Sequence, residues 1–170
     1  LLSEGYFVIG TSHKNSTKAT ELRKNPNFRG VDLDISSLAS IEEFAQSLKG
    51  DDIYALVNCA GIVKFEGKTN EEDFQIWNET IAVNLSSNFY LAKLLTNNLA
   101  HNGRFVMISS TDSYYGGSVT ASYAVSKAGI NSLTKSLSLL FRDKKVRVNS
   151  IAPGWVSTPM IEGNSQSFYD

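Results

Sequence analysis

Residues 103–129 read GRFVMISSTDSYYGGSVTASYAVSKAG, and the pattern changes period inside this stretch. Gly103–Ser109 is an apolar run of strand type, whereas the sequence from Ala121 to Leu140 spaces Ala124, Ala128, Ile130, Leu133, Leu137 and Leu140 as a helix does. A strand ending at Ser110 and then a helix would put Tyr123 and Lys127 on one helical face, because positions i and i+4 are neighbours there. A free phenol has a pKa of about 10 and is a poor proton donor at neutral pH. A fixed cation beside it favours phenolate and lowers that value. Ser110, Tyr123 and Lys127 therefore read as a tuned proton donor or acceptor with a hydroxyl that can hold a substrate oxygen. Taken alone, Tyr-x-x-x-Lys is equally one aromatic and one solvated lysine on a helix.

The same alternation extends in both directions. Leu1–Gly5 reads as a last helical turn closed by glycine. Tyr6–Thr11 is a strand followed by a polar turn over Ser12–Thr17, and Phe28–Leu33 is a second strand. A helix starts near Ser36 or Ser37, with Ser40 and Glu43 spaced as a capping box. Ile53–Val57 is a buried strand. Asn70 precedes the acidic turn Glu71-Glu72-Asp73, which suits a helix N-terminus, and helical pattern runs to about Leu99 with a break near Thr80. Val146–Ile151 is the last strand. Mostly apolar strands alternating with helices predict an α/β fold: a doubly wound parallel sheet in three layers. No repeat, linker or low-complexity stretch divides residues 1–170, so one domain is expected.

The chain has 170 residues, a formal net charge of −1 and one cysteine, Cys59. The charge gives no reason to expect nucleic acid or an anionic membrane as partner. A lone cysteine excludes an internal disulfide and fits a reducing, cytoplasmic setting. No apolar run reaches the ~18 residues of a membrane-crossing helix. No metal-binding pattern is expected.

Further motifs fall at predicted strand ends. Asn58-Cys59-Ala60-Gly61 follows Ile53–Val57, and ligands of open α/β sheets bind beyond the carboxyl ends of the strands. Asn84 lies mid-helix in Ala-Val-Asn-Leu, an unfavourable place for asparagine. Val148–Gly154 leaves the last strand through Ala152-Pro153-Gly154, with Thr158 four residues on. Separately these are a turn, a tolerated helix residue and a loop. In this order and spacing, from about Gly5 to Met160, they resemble the short-chain dehydrogenase/reductase family, in its simple reductase subgroup.

The resemblance implies a Rossmann-like domain and an NAD(P)(H)-dependent oxidoreductase that moves a hydride between nicotinamide and a carbonyl or secondary alcohol. The family's tetrad maps onto Asn84, Ser110, Tyr123 and Lys127. Tyr123 would be the acid or base, and Ser110 would hold the substrate oxygen. Lys127 would lower the phenol pKa and bond the nicotinamide ribose. Asn84 would bind a water linking Lys127 to solvent. Asn58, Ala60 and Gly61 would lie against the adenosine side of the cofactor, and Asp34-Ile35 would contact adenine; Asp32 fits that pattern less well. Pro153, Gly154, Val156 and Thr158 would line the nicotinamide end. Thr11, Ser12 and His13 would flank the adenosine ribose. NAD-selective sites usually carry an acid at the end of the second strand. Gly10–Asn15 has none, and hydroxyls, histidine and lysine there can hold a 2′-phosphate, so NADP(H) is expected over NAD(H). A homodimer or homotetramer through the helices at about 80–99 and 121–140 is implied too. Alternative readings are a non-catalytic cofactor-binding regulator and an epimerase or dehydratase of the extended group.

One part of the family pattern has no counterpart here. No Gly-x-x-x-Gly-x-Gly turn occurs near the start, nor the first strand before it, which would sit centrally beside Tyr6–Thr11. The final strand and helix after the substrate loop have no counterpart either. The fold is thus expected to be incomplete at both ends, and these 170 residues alone to fold poorly and bind cofactor weakly. Val63, Phe65, Ser113, Tyr114, Tyr115, Trp155 and Met160 are the expected neighbours of a partly apolar substrate.

Overall fold

The computed structural model of the chain describes residues 1–13 and 17–156, without the side chains of 17–19. A short turn of helix over Leu2–Glu4 closes on Gly5 at φ 82°, a left-handed conformation open to glycine at little steric cost. The order is then β1 (Val8–Ser12), α1 (Thr17–Leu22), β2 (Phe28–Asp32), α2 (Leu38–Ser47), β3 (Ile53–Asn58) and α3 (Asn70–Ile81). A five-residue π-helical turn, Ala82–Ser86, joins α3 to α4 (Ser87–Leu94). After it come β4 (Leu99–Ile108), α5 (Asp112–Tyr115), α6 (Ala121–Leu140) and β5 (Arg147–Ile151).

Every ladder is parallel. The strands form two sheets, β1–β2 and β3–β4–β5, with no pairing between β1 and β3. The break falls where the family resemblance implies a further strand beside β1. Helices bridge it. Leu33, Ile41, Phe44, Leu48, Leu91 and Leu95 bury one cluster, against which Ile9 and Val31 of the first sheet and Ile53 and Leu56 of the second also pack. A second cluster joins Ala92 of α4 and Ile130 and Leu137 of α6 to Leu99, Phe105, Met107 and Val148 of β4 and β5. On the other face of the larger sheet Val57 and Ile151 remain exposed, as the alternation of strand residues between faces requires. Tyr54 is exposed beside a register shift between Ile53 and Ala55.

Several boundaries depart from the sequence reading. The helix expected to reach about Leu99 ends at Leu94, and Leu99 opens β4. The ladder claims these residues: Leu99 pairs with Ile53, whose amide donates to the Asn98 carbonyl at 2.7 Å. The polar turn expected over Ser12–Thr17 is shortened, since Ser12 belongs to β1 and Thr17 opens α1; residues 14–16 lie outside the described residues. Neither α1 nor α5 is marked by periodicity, both being too short to show one. Ser37 caps α2 by accepting from the Ser40 amide, while the Ser40 hydroxyl accepts from the Asp34 amide, so Ser40 and Glu43 form no capping box. Thr69, not Asn70, caps α3, with Glu71, Glu72 and Asp73 in its first turn as expected. The helix break expected near Thr80 is the turn Ala82–Ser86.

Among the described residues no helix is long and apolar enough to cross a membrane, and no group of three potential ligands could hold a metal ion.

Candidate active site

Ser109 and Ser110 continue the line of β4 past its carboxyl end, where the Ser109 amide still donates to Ile151 at 2.7 Å. The two hydroxyls then diverge. Ser109 Oγ donates to the Lys127 carbonyl at 3.0 Å and ties the strand end to α6. Ser110 Oγ accepts from the Asp112 amide at 3.2 Å and lies near enough to the Tyr123 phenol to favour its ionised form. Tyr123 lies in the first turn of α6 and Lys127 one turn later. The Lys127 ammonium stands 5.4 Å from the centroid of the Tyr123 ring and donates to the Ile108 carbonyl at 2.7 Å. Lys127 is only 3% exposed. The helical spacing thus does bring Ser110, Tyr123 and Lys127 together.

The electrostatics correct one expectation. Tyr123 has its pKa raised, not lowered: burial is the main cause, Ser110 opposes it by hydrogen bonding, and the negative charge of Asp112 adds to it. Burial also pulls Lys127 down from 10.5 to about 8, with Cys59 acting in the other direction. A desolvated site disfavours charge on either group, and at Tyr123 this outweighs the opposing effect of Ser110.

Asn84 sits in the π-helical turn, fully buried. Such turns relax the i→i−4 ladder and recur at functional positions. Its Oδ1 accepts from the Ile62 amide at 2.8 Å, and its Nδ2 donates to the Ile62 carbonyl and to Ser126 Oγ at 2.9 and 3.1 Å. Ser126 Oγ in turn donates to the Tyr123 carbonyl at 2.7 Å. The amide thus has protein partners and ties the loop after β3 to α6. Asn88 donates to the Asn84 carbonyl and accepts from Asn58 Nδ2 at 2.9 Å. Asn58 Oδ1 accepts from the Ala60 amide. The Asn58 side chain is thus committed inside the protein, and it shapes the rim instead of facing it.

Gly61 approaches the centre most closely: a β-carbon there would lie 3.5 Å from both Asn84 Oδ1 and Lys127 Nζ. Pro153 is half-buried and its carbonyl accepts from the Thr111 amide at 3.0 Å, joining the exit loops of β4 and β5, while Gly154 and Val156 are exposed. Thr158 and Met160 lie outside the described residues. On the other sheet Thr11 and Ser12 end β1, and His13 Nδ1 lies 3.9 Å from Asp34 Oδ1. Asp34 also accepts from the amide and hydroxyl of Ser36, and Ile35 packs on the core. The stretch without an acid in sequence is thus not without one in space. Asp34 arrives from the neighbouring strand.

The model of the family described as short chain dehydrogenase matches residues 1–167. The chain belongs to the short-chain dehydrogenase family. This short-chain dehydrogenase is 32% identical over 170 residues to the 3-oxoacyl-[acyl-carrier-protein] reductase of Escherichia coli K12, covering 97% of the chain and 69% of that protein. It is 34% identical over 166 residues to the 2-dehydro-3-deoxy-D-gluconate 5-dehydrogenase of Bacillus subtilis 168, covering 93% and 64%. It spans about two thirds of the length of these relatives, all of them oxidoreductases by name. A Brucella melitensis short-chain dehydrogenase/reductase superposes with a TM-score of 0.86 at 26% identity, over 97% of this chain and 69% of that one. BdcA in complex with NADPH shares the fold, with a TM-score of 0.84 at 19% identity over 98% and 68%.

The residues of this short-chain dehydrogenase suit the nicotinamide-ribose half of such a cofactor. Small residues line the ends of β3 and β4, Gly61 leaves open the space beside the Lys127 ammonium, and among the described residues the Lys127 ammonium, with three N–H groups, donates to the Ile108 carbonyl. Ser126 and Asn88 escape the sequence reading, although Ser126 lies inside the quoted motif and Asn88 is one helical turn from Asn84.

Proposed function

We propose that this chain carries the acid–base centre of an NAD(P)(H)-dependent oxidoreductase acting on a carbonyl or secondary alcohol. The observation that carries the reading is the convergence of Ser110 and Lys127 on the Tyr123 ring, from a strand end and a helix face. A bound nicotinamide would supply or accept the hydride. Ser110 Oγ holds the substrate oxygen, and the Tyr123 hydroxyl gives it a proton on reduction. A phenol held above its ordinary value stays protonated throughout the neutral range, which suits the reductive direction. Lys127 would bond the ribose through the N–H groups that Ile108 does not take, and Asn84 positions the Ile62 loop and Ser126.

Replacing Tyr123→Phe in the full-length protein should lower ketone turnover by at least about a thousandfold, as loss of an acid–base group does, and leave NADPH binding intact. The assay is NADPH absorbance loss with cyclohexanone, acetophenone and ethyl acetoacetate. Unchanged turnover would exclude Tyr123 as the acid.

NADP(H) is the favoured cofactor, because the end of β1 offers Ser12 and His13 and the nearby Asp34 carboxylate is engaged by Ser36 and faces His13. Higher kcat/KM with NADH than with NADPH would reverse this. The groove between α4 and α6, lined by Leu85, Phe89, Tyr90, Gly129 and Leu133, is the surface through which a homodimer or homotetramer would form. The lone, exposed Cys59 fits the reducing cytoplasm.

A further inference from the structure

The N-terminus of α6 is held from outside the helix. Thr120 occupies the cap position at φ −139° and ψ 37°, yet its side chain makes no capping bond. The first amides of a helix have no partner within it. Here two of them point to one carboxylate: the amides of Ala121 and Ser122 donate to Glu66 Oε2 and Oε1 at 3.0 and 2.8 Å. The Glu66 amide donates to the Val119 carbonyl at 2.9 Å, so backbone and side chain grip the same turn. A carboxylate at this end is favoured by the helix dipole as well.

Glu66 is itself fixed. Ile62, four residues earlier, is bonded through both its amide and carbonyl to Asn84. The Gly67 amide donates to Asp73 at 2.8 Å, and Lys64 pairs with Glu79. The loop after β3 thus spans from Asn84 to the helical turn that carries Tyr123.

We propose that Glu66 is a positioning residue for Tyr123, setting the phenol against Ser110 by clamping the first turn of α6. The proposal rests on the oxidoreductase reading for its kinetic consequence, but not for its structural one. Lys127 lies a turn further along, in the part of α6 that goes on to the buried positions Ile130 and Leu137, and is held independently by Ile108 and Ser109. Loss of the clamp should therefore disturb Tyr123 and spare Lys127.

The test compares Glu66→Ala and Glu66→Gln with the parent in the full-length protein. For Glu66→Ala, kcat with the fastest of the three ketones should fall about 10- to 100-fold, the range expected from misplacing a reacting group, while KM for NADPH stays within about twofold. Glu66→Gln keeps one of the two acceptors and should lose clearly less, with kcat within about tenfold of the parent and above that of Glu66→Ala. Hydrogen exchange at the amides of Ala121 and Ser122 should be at least about tenfold faster in Glu66→Ala, with exchange from Ala128 to Leu137 unchanged, as for a local opening. Unaltered exchange at 121–122 would overturn the clamp whether or not the protein turns over ketones. An unchanged kcat, or a parallel loss of kcat, cofactor KM and melting temperature in both variants, would overturn the positioning role. A parent without ketone turnover would count against the oxidoreductase reading, and the exchange result would still decide the clamp.

Discussion

Lys127 holds its ammonium 5.4 Å from the ring centroid of Tyr123 while donating to the Ile108 carbonyl. Burial shifts the two groups in opposite directions, the phenol upward and the lysine down to about 8, and in both cases it opposes charge.

These shifts make stability depend on pH with a definite sign. Between about 8 and 10.5 the unfolded chain keeps a proton on Lys127 that the folded chain has released, so stability rises with pH in that window. Above about 10 the unfolded tyrosine loses its proton before the folded one, and stability falls. The lysine contribution is on the order of 2–3 kcal/mol by pH 10. Urea unfolding of the full-length protein and of Lys127→Met, at steps from pH 7 to 10, isolates it. The parent should gain on the variant above pH 8, and a constant difference would refute the lysine shift.

Gly129 meets Leu85 where α6 crosses the π-helical turn. A β-carbon at 129 would lie 2.6 Å from Leu85 Cδ2 and 3.0 Å from Cδ1. Gly129→Ala should destabilise the protein by about 1 kcal/mol, as overpacking of 1–3 kcal/mol is partly offset by the ~1 kcal/mol that alanine gains over glycine in a helix. With Leu85→Ala already in place the same change should stabilise. Denaturation midpoints of the four proteins in this cycle test the coupling, and equal effects in both backgrounds would mean that Leu85 is not what alanine meets.

Asn84 has protein partners for its side-chain oxygen and nitrogen in a site closed to water. Asn84→Ala strands the Ile62 amide and carbonyl and should cost about 2–4 kcal/mol, since each buried unpaired group costs about 1–3. Asn84→Asp should cost more, because a carboxylate cannot donate to the Ile62 carbonyl and would bring a charge indoors. Thermal unfolding of both variants checks the order. An aspartate variant as stable as the parent would contradict the bonding described.

What could be read ahead of the structure was what local periodicity carries. The full length of α6, the core of every strand and the i, i+4 pairing of Tyr123 with Lys127 follow from spacing alone. The losses share a cause too. Leu99 keeps a helical pattern locally, and only its pairing with Ile53 makes it strand. The cap of α6 comes from Glu66, with no signal near Thr120. Asp34 meets His13 only because β1 and β2 lie side by side. The direction of the Tyr123 shift depends on how much water the fold removes, and side-chain spacing says nothing about that.

Division of the strands into two sheets has a consequence for how this chain behaves in company. One sheet has two rims and two sheets have four, so β1, β2, β3 and β5 each present backbone N–H and C=O groups on one side. Such rims are templates for strand addition. No proline stands within β1 or β3 to block it. Self-association of these 170 residues should therefore grow with concentration through main-chain pairing, and an added strand that fills the space between β1 and β3 would remove two of the four templates at once.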